Sequence, residues 1–205
     1  MINLSDIIFT RKCPFCGEVI KLTELECPSC RDEIPESELR KIGNYKCACA
    51  FPYSGKYRAA VLEYKFYGKH SHSREFAVYM KRAVERQLAD CSFDVVTYVP
   101  MFKEKLYKFN HSRTLARRLS KLLCLPCEEL LAKTKLTQKQ HSLSLEDRRH
   151  NVRGAFSTVD VKGKRVLLVD DIITTGYTFA ECIRTLKIGG AESVCCVVLC
   201  NALKR

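Results

Sequence analysis

Residues 166–178 read Val-Leu-Leu-Val-Asp-Asp-Ile-Ile-Thr-Thr-Gly-Tyr-Thr, and this stretch decides the fold. Its first four residues are apolar without alternation, which is typical of a strand buried on both faces of a parallel sheet. From Thr178 the apolar positions follow a helical spacing, Gly189-Gly190 is the predicted stop, and residues 193–199 form another apolar run. The order strand, loop, helix, strand predicts an α/β fold.

Two carboxylates and a hydroxyl-rich loop follow the predicted strand. Asp170 and Asp171 lie at its carboxyl end, where ligands bind in such sheets. The amino terminus of the next helix presents free backbone amides and a dipole that favour a phosphate. The residues at this position are Thr174, Thr175, Gly176 and Thr178, of which the threonines add hydroxyl groups. Carboxylates repel phosphate but accept hydrogen bonds from vicinal sugar hydroxyls, so the stretch predicts a site for a ribose that carries a phosphate.

Two other interpretations of the stretch compete with this one. Receiver domains of signalling proteins also have a hydrophobic strand that ends in acidic residues, which hold magnesium. They need an acceptor aspartate further downstream, and only 34 residues follow Asp171. An ordinary buried strand with a capped helix accounts for the apolar residues. It explains less well why two acids, three threonines and a glycine occur together.

The amino-terminal segment contains two C-x-x-C pairs separated by ten residues. Four thiolates presented by two such turns suit tetrahedral zinc. The candidate metal ligands are Cys13, Cys16, Cys27 and Cys30. A redox-active C-x-x-C is the alternative for either pair alone. The spacing predicts a structural zinc ribbon whose folding energy comes from the metal, because a segment this short cannot build its own core.

Composition limits the class of protein. A chain of 205 residues that is 46% hydrophobic and 28% charged is globular, with room for one ordinary domain and a small appendage. No apolar run reaches the length of a membrane span, and the amino terminus lacks the pattern of a signal peptide, so we expect a cytoplasmic protein without a membrane span. An odd count of 13 cysteines favours reduced thiols. The net charge of +12 favours polyanionic partners.

Residues 168–178 closely resemble the phosphoribosyl pyrophosphate signature of type I phosphoribosyltransferases, and other segments resemble the ComF branch of that family. The resemblance implies a doubly wound, five-stranded, mostly parallel sheet with a variable hood. It also implies that Asp170 and Asp171 bind the ribose hydroxyls, that residues 174–178 surround the 5′-phosphate, and that Mg²⁺ accompanies phosphoribosyl pyrophosphate. Tyr177 stands where the family has a small residue; it either crowds the phosphate or points away.

The pyrophosphate side departs from the family pattern. In ComF proteins the segment after the Val-Pro turn reads Arg-Gly-Phe-Asn-Gln, whereas residues 107–111 read Tyr-Lys-Phe-Asn-His. The candidate pyrophosphate-side residues are Lys65, Lys103, Lys105 and Lys108. A lysine preserves the charge but not the bidentate geometry of arginine, which puts catalysis in doubt. Lys65 is equally well interpreted as a solvated helix lysine.

Residues 137–156 match the ComF pattern at its spacing. The loop candidates for ligand binding are Gln140, Arg148 and Asn151. A segment rich in amides, hydroxyls and arginines is typical of a mobile loop that closes over a phosphorylated ligand. It is equally suited to contact single-stranded DNA.

The predicted organisation is a zinc ribbon at residues 1–35, a linker at 36–50 and a phosphoribosyltransferase-like domain at 51–205. Cys47 and Cys49 are interpreted as ordinary thiols of a short strand, since two ligands do not complete a second metal site. We expect helices at about residues 56–68 and 73–88 and an amphipathic helix at 110–123 whose inward residues include Leu122.

Three functions follow from these observations. The first is the one that the ComF resemblance implies: a protein that binds phosphoribosyl pyrophosphate or a related ribose phosphate and takes part, with DNA-uptake proteins, in the uptake or handling of single-stranded DNA. The second is an active phosphoribosyltransferase of the nucleotide salvage type, for which the sequence shows no base-recognition motif. The third is a regulator that senses phosphoribosyl pyrophosphate.

Overall fold

The computed structural model of the chain describes residues 11–66, 72–102, 109–136 and 152–203. The strands are β1 (Arg11–Lys12), β2 (Val19–Ile20), β3 (Glu38–Ile42), β4 (Tyr45–Pro52), β5 (Val95–Tyr98), β6 (Leu131–Lys133), β7 (Phe156–Thr158), β8 (Arg165–Ile173) and β9 (Ser193–Asn201). The helices are α1 (Pro28–Asp32), α2 (Gly55–Phe66), α3 (Ser73–Gln87), α4 (His111–Leu122) and α5 (Tyr177–Ile188).

The centre of the molecule is a five-stranded sheet in the order β3-β4-β9-β8-β5. β4, β9, β8 and β5 run parallel, and β3 pairs antiparallel with β4. The predicted mostly parallel α/β sheet is therefore confirmed. The structure differs from the sequence prediction at residues 36–50, which were predicted as a linker but contain β3 and most of β4. Their polar side chains had indicated a linker, but β3 is an edge strand, and an edge strand tolerates charged residues.

Apolar residues bury both faces of this sheet. In β8, Leu167 and Val169 join the core beneath α2, α3 and α4, whereas Val166 and Leu168 join the core beneath α5. All four side chains are fully buried, as the unbroken apolar run predicted. The β6–β7 hairpin packs on the same face as α5. This double covering confirms the doubly wound arrangement.

The helices lie close to their predicted positions. The apolar stripes of α2 and α3 are buried, and α5 ends at Ile188, immediately before Gly189. The prediction for Leu122 was wrong: it is 38% exposed, because α4 ends at this residue and leaves it at the margin of the buried stripe.

Thiols outside the amino-terminal segment serve mainly as small core residues. Cys47, Cys49, Cys182, Cys196 and Cys200 are all buried in the sheet or beneath α5. The interpretation of Cys47 and Cys49 as ordinary thiols of a strand agrees with this position. No helix among the described residues is long and apolar enough to cross a membrane.

Candidate functional site

A cleft opens at the carboxyl end of the sheet, where β8 extends further than its neighbour β5. β5 pairs with β8 only as far as Val169, and the chain then turns away through Val99 and Pro100. On its other side β8 continues beside β9 to Ile173. Asp170 and Asp171 therefore lie within the strand rather than after it, with one side uncovered. The resulting cleft has a volume of about 620 Å³.

Asp170 is held in a fixed orientation. Its Oδ1 accepts hydrogen bonds from the Ser112 hydroxyl at 2.5 Å and from the Asp171 amide at 2.9 Å. Within the described residues no hydrogen bond reaches Oδ2, which leaves that oxygen for a ligand in the cleft. Burial and the Asp171 carboxylate raise the pKa of Asp170 to about 7, although Lys65 and Ser112 act to lower it. A ligand that donates hydrogen bonds favours the ionised form.

Asp171 is engaged by a lysine of the opposite wall. The Lys65 ammonium, near the end of α2, lies 2.9 Å from Oδ2 and 3.1 Å from Oδ1 of Asp171. Burial acts to lower the pKa of Lys65, but the carboxylates of Asp171 and Asp170 outweigh it and raise the pKa above its ordinary value. Because the Asp171 carboxylate is almost fully buried, this contact neutralises a charge that would be costly alone. Lys65 thus contacts the acid pair and is not a solvated helix lysine.

The hydroxyl-rich loop forms the floor of the cleft. Thr174, Thr175, Gly176 and Thr178 line it, together with the two acids. Gly176 precedes α5 with φ 77°, a left-handed conformation that favours glycine, and as a glycine it has no side chain with which to cap the helix. The amino terminus of α5 therefore opens towards the acids. The Tyr177 side chain lines a separate groove with Arg153 and Arg184, so it points away from the cleft.

A second helix amino terminus reaches the same cleft. Asn110 caps α4 by accepting a 3.0 Å hydrogen bond from the Arg113 amide, and its side chain lines the cleft. Asn110 is 5% exposed, and its Nδ2 has no partner in the part of the chain that the structure describes. An unsatisfied buried donor costs about 1–3 kcal/mol. This amide group is therefore a ready donor for an anionic or carbonyl oxygen.

The structure brings some candidates together and leaves others undescribed. Lys103, Lys105, Lys108, Gln140, Arg148 and Asn151 lie outside the described residues. Ser112 and the donor role of Asn110 were missed from the sequence. A serine in the first turn of a basic helix carries no signal of its own, because its partner Asp170 is 58 residues away.

The four predicted metal ligands also lie together. The sulfur atoms of Cys13, Cys16, Cys27 and Cys30 are within 4.8 Å of one another. A turn closed by the Gly17 amide donating to the Cys13 carbonyl at 3.0 Å presents the first pair, and Gly17 takes φ 81° there. Cys27 and Cys30 lie at the start of α1 and within it. Four converging thiols fit a tetrahedral metal ion such as zinc.

The segment that carries these thiols packs on the main sheet and its helices. Phe15 is the anchor: its ring centroid lies 5.4 Å from Phe51, 5.2 Å from Tyr57 and 5.7 Å from Tyr79. The buried Glu26 accepts a hydrogen bond from the Tyr79 hydroxyl. The Tyr57 hydroxyl donates to the Glu33 carbonyl at 2.8 Å. The side of the cysteine-bearing segment that carries Phe15 is therefore packed against aromatic residues of the main sheet and its helices.

Comparisons with known proteins agree with this architecture. Residues 110–205 match the model of the phosphoribosyl transferase domain. Competence protein F of Haemophilus influenzae is 29% identical over 195 residues, which cover 89% of this chain and 81% of that protein. DNA utilization protein YhgH of Escherichia coli O157:H7 is 36% identical over 114 residues, 54% of this chain and 50% of that protein. The match thus spans about half the length of YhgH.

Solved structures show similarity as well. Glutamine phosphoribosylpyrophosphate amidotransferase from B. subtilis, solved with ADP and GMP, is 28% identical with a TM-score of 0.42. The alignment covers 62% of this chain and 26% of that chain. Together with the domain match and the four-cysteine cluster, the relatives confirm the resemblance to the ComF family that the sequence indicated.

Proposed function

We propose that this ComF-like chain with a phosphoribosyltransferase domain binds phosphoribosyl pyrophosphate or a related ribose phosphate in the cleft, and that it takes part in the uptake or handling of single-stranded DNA. One observation carries the first part. The acid pair and the open amino terminus of α5 face the same cleft. A ribose 5-phosphate unit has a diol that needs acceptors and an anion that needs donors, and the cleft provides both.

The acid pair binds the ribose in this proposal. Asp170 presents Oδ2 to a sugar hydroxyl, since its other oxygen is held by Ser112. Asp171 accepts from the neighbouring hydroxyl while Lys65 balances the charge of the pair. The 5′-phosphate lies against Thr174, Thr175, Gly176 and Thr178, where backbone amides and the α5 dipole favour it. The amide of Tyr177, the first residue of α5, joins them, while its side chain stays outside.

The pyrophosphate side is supported by the amino terminus of α4. Asn110 offers a buried, unpartnered amide donor within the described part of the cleft. Mg²⁺, when bound with phosphoribosyl pyrophosphate, supplies the charge neutralisation that the departing group requires. Lys103, Lys105 and Lys108 follow the cleft residue Met101 in the chain and remain candidates for the same side.

The link to DNA comes from the relatives. The names Competence protein F and DNA utilization protein connect those proteins with competence and with the use of DNA. We propose the same setting for this chain, with single-stranded DNA and DNA-uptake proteins as partners. The four cysteines hold zinc as a structural ion in this proposal. The net charge of +12 supports a polyanionic partner.

Phosphoribosyl transfer is the second candidate, and the match of residues 110–205 to the phosphoribosyl transferase domain favours it. Positioning of the ribose and clamping of the leaving group are the main requirements of that reaction. A pyrophosphate release assay across candidate bases distinguishes the two functions. Turnover establishes an enzyme, and saturable binding without turnover with any base establishes a binding protein or a sensor.

Calorimetry with phosphoribosyl pyrophosphate and Mg²⁺ tests the cleft assignment. We expect saturable binding that the double variant Asp170→Asn, Asp171→Asn weakens at least about 100-fold, because each hydrogen bond to a charged group contributes about 1.5–3 kcal/mol. The control Glu129→Gln, Asp160→Asn removes two exposed carboxylates elsewhere and should leave the affinity unchanged. Equal affinity of the double variant and the control would overturn the assignment.

A further inference from the structure

The outer face of α4 has an unusual charge composition. Residues 111–122 contain Arg113, Arg117, Arg118 and Lys121 and no aspartate or glutamate. Residues 113, 117 and 121 follow one another at a spacing of four, so they form a row about 12 Å long on a single helix face. Arg118 borders this row. Arg117, Arg118 and Lys121 are exposed to solvent.

Several basic residues elsewhere on the surface pair with acidic side chains. Lys46 pairs with Asp90, Arg40 with Glu38 and Arg86 with Glu36. Among the described residues, no hydrogen bond or ion pair is made by the side chains of Arg117, Arg118 or Lys121. Uncompensated like charges on neighbouring turns repel one another, so the helix bears a cost that an anionic partner relieves.

The opposite face of α4 limits what that partner is. Leu115, Ala116 and Leu119 are fully buried against the sheet and α3. A helix that binds a lipid surface needs an exposed apolar face that can enter the membrane. The apolar face of α4 is instead buried in the protein core. The surface can therefore offer charge but little apolar contact, which suits a phosphodiester backbone.

Position links this surface to the cleft. Asn110, His111 and Ser112 line the cleft at the start of α4, and the basic residues continue from there along the helix. We infer that the outer face of α4, with Arg117, Arg118 and Lys121, binds the phosphodiester backbone of a nucleic acid strand that approaches or enters the cleft. The inference rests on the DNA part of the proposed function and adds a surface to it. Contacts of this kind carry no base specificity.

Oligonucleotide binding as a function of salt tests the surface. The zinc-loaded chain of 205 residues is titrated against a labelled oligothymidine and a hairpin duplex between about 50 and 200 mM salt. The variant Arg117→Gln, Arg118→Gln, Lys121→Gln should reduce the slope of log K against log salt by about 2 for the single strand, at about 0.7 for each lost phosphate contact. Its affinity near 0.1 M salt should fall roughly 100-fold. A loss confined to the duplex would identify double-stranded DNA as the partner and overturn the single-strand handling proposed above.

The control removes the same total charge from paired positions. Arg40→Gln, Lys46→Gln, Arg86→Gln should change the slope and affinity little, which separates the α4 surface from a general effect of net charge. Equal behaviour of the two triple variants overturns the inference, as does a loss of binding to anionic lipid vesicles without a loss for oligonucleotides. If the unaltered protein binds no oligonucleotide, the inference and the DNA part of the proposed function both fail. Calorimetry of the α4 variant with phosphoribosyl pyrophosphate still reports on the cleft separately.

Discussion

The cysteine-bearing segment and the cleft are built by opposite means. In the first, side chains make the structure: four thiols converge, and Phe15 anchors the segment on three aromatic rings. In the second, the backbone makes the site. β8 extends beyond β5, two helices begin at the opening, and side chains are then held in place by neighbours such as Ser112 and Lys65. The segment should therefore depend on single side chains for folding, whereas the cleft should keep its fold and lose only affinity.

Cys27→Ser should have the largest effect. An incomplete ligand set forfeits much of the apparent binding energy of a structural zinc, about 10–16 kcal/mol, so residues 11–35 should lose their protection from hydrogen exchange. Elemental analysis should show about one zinc ion per chain before the change and much less after it. Cys124→Ser, an exposed thiol outside the cluster, is the control. If residues 11–35 kept their protection from hydrogen exchange without bound metal, the claim that the segment needs the metal to fold would be wrong.

Phe15→Ala should have the next largest effect. Loss of a buried phenylalanine costs about 3–5 kcal/mol, and here the cost falls on the contact between the segment and the rings of Phe51, Tyr57 and Tyr79. The zinc should remain bound, because the thiols are untouched. Urea unfolding and elemental analysis together test this. Val19→Ala, at a residue 60% exposed, is the matched control in the same segment. Loss of metal in the Phe15 variant would show that docking and zinc binding are a single event.

Ser112→Ala should have the smallest effect and should act through pH. The Ser112 hydroxyl lowers the pKa of Asp170, which burial and Asp171 raise to about 7. Removing the hydroxyl should raise that pKa further, so affinity for phosphoribosyl pyrophosphate at neutral pH should fall about tenfold. The pH midpoint of binding should move upward. The charged groups that act on Asp170 together with Ser112 are Asp171 and Lys65. Asp170 in turn raises the pKa of the Cys47, Cys182 and Cys196 thiols, which are therefore neutral near pH 7, and opposes the lowering of the Lys133 pKa by burial.

Ionisation of Asp170 as pH rises affects stability and binding in opposite directions: it favours ligand binding but lowers the stability of the folded protein. Because the folded-state pKa of Asp170 lies above its ordinary value, the folded protein holds this proton more tightly than the unfolded chain. Its contribution to stability is therefore present at low pH and is lost as pH rises towards about 7. Ser112→Thr keeps the hydroxyl and should restore the original midpoint of binding. A uniform loss of affinity at every pH would show that Ser112 has only a structural role.

Much of the fold and of the site could be predicted from local patterns. Residues 166–169 predict a strand buried on both faces, because no polar side chain interrupts them. Gly189 predicts the end of α5. The thiol spacing predicts convergence because each C-x-x-C turn is a local structure. Asp170 and the loop at 174–178 were predicted as binding residues because their residue types are unusual after such a strand, and the structure places them in one cleft.

Contacts between residues that are far apart in the sequence could be seen only in the tertiary structure. β3 looked like part of a linker, since the pairing of an edge strand leaves little mark on a polar sequence. The contacts of Ser112 with Asp170 and of Lys65 with Asp171 bridge 58 and 106 residues, distances over which no periodicity carries information. The same holds for the docking of Phe15 on Phe51, Tyr57 and Tyr79. The sequence by itself determined which chemical groups and local turns this protein has. Packing decided which of those groups meet, because a contact between elements depends on the positions of both.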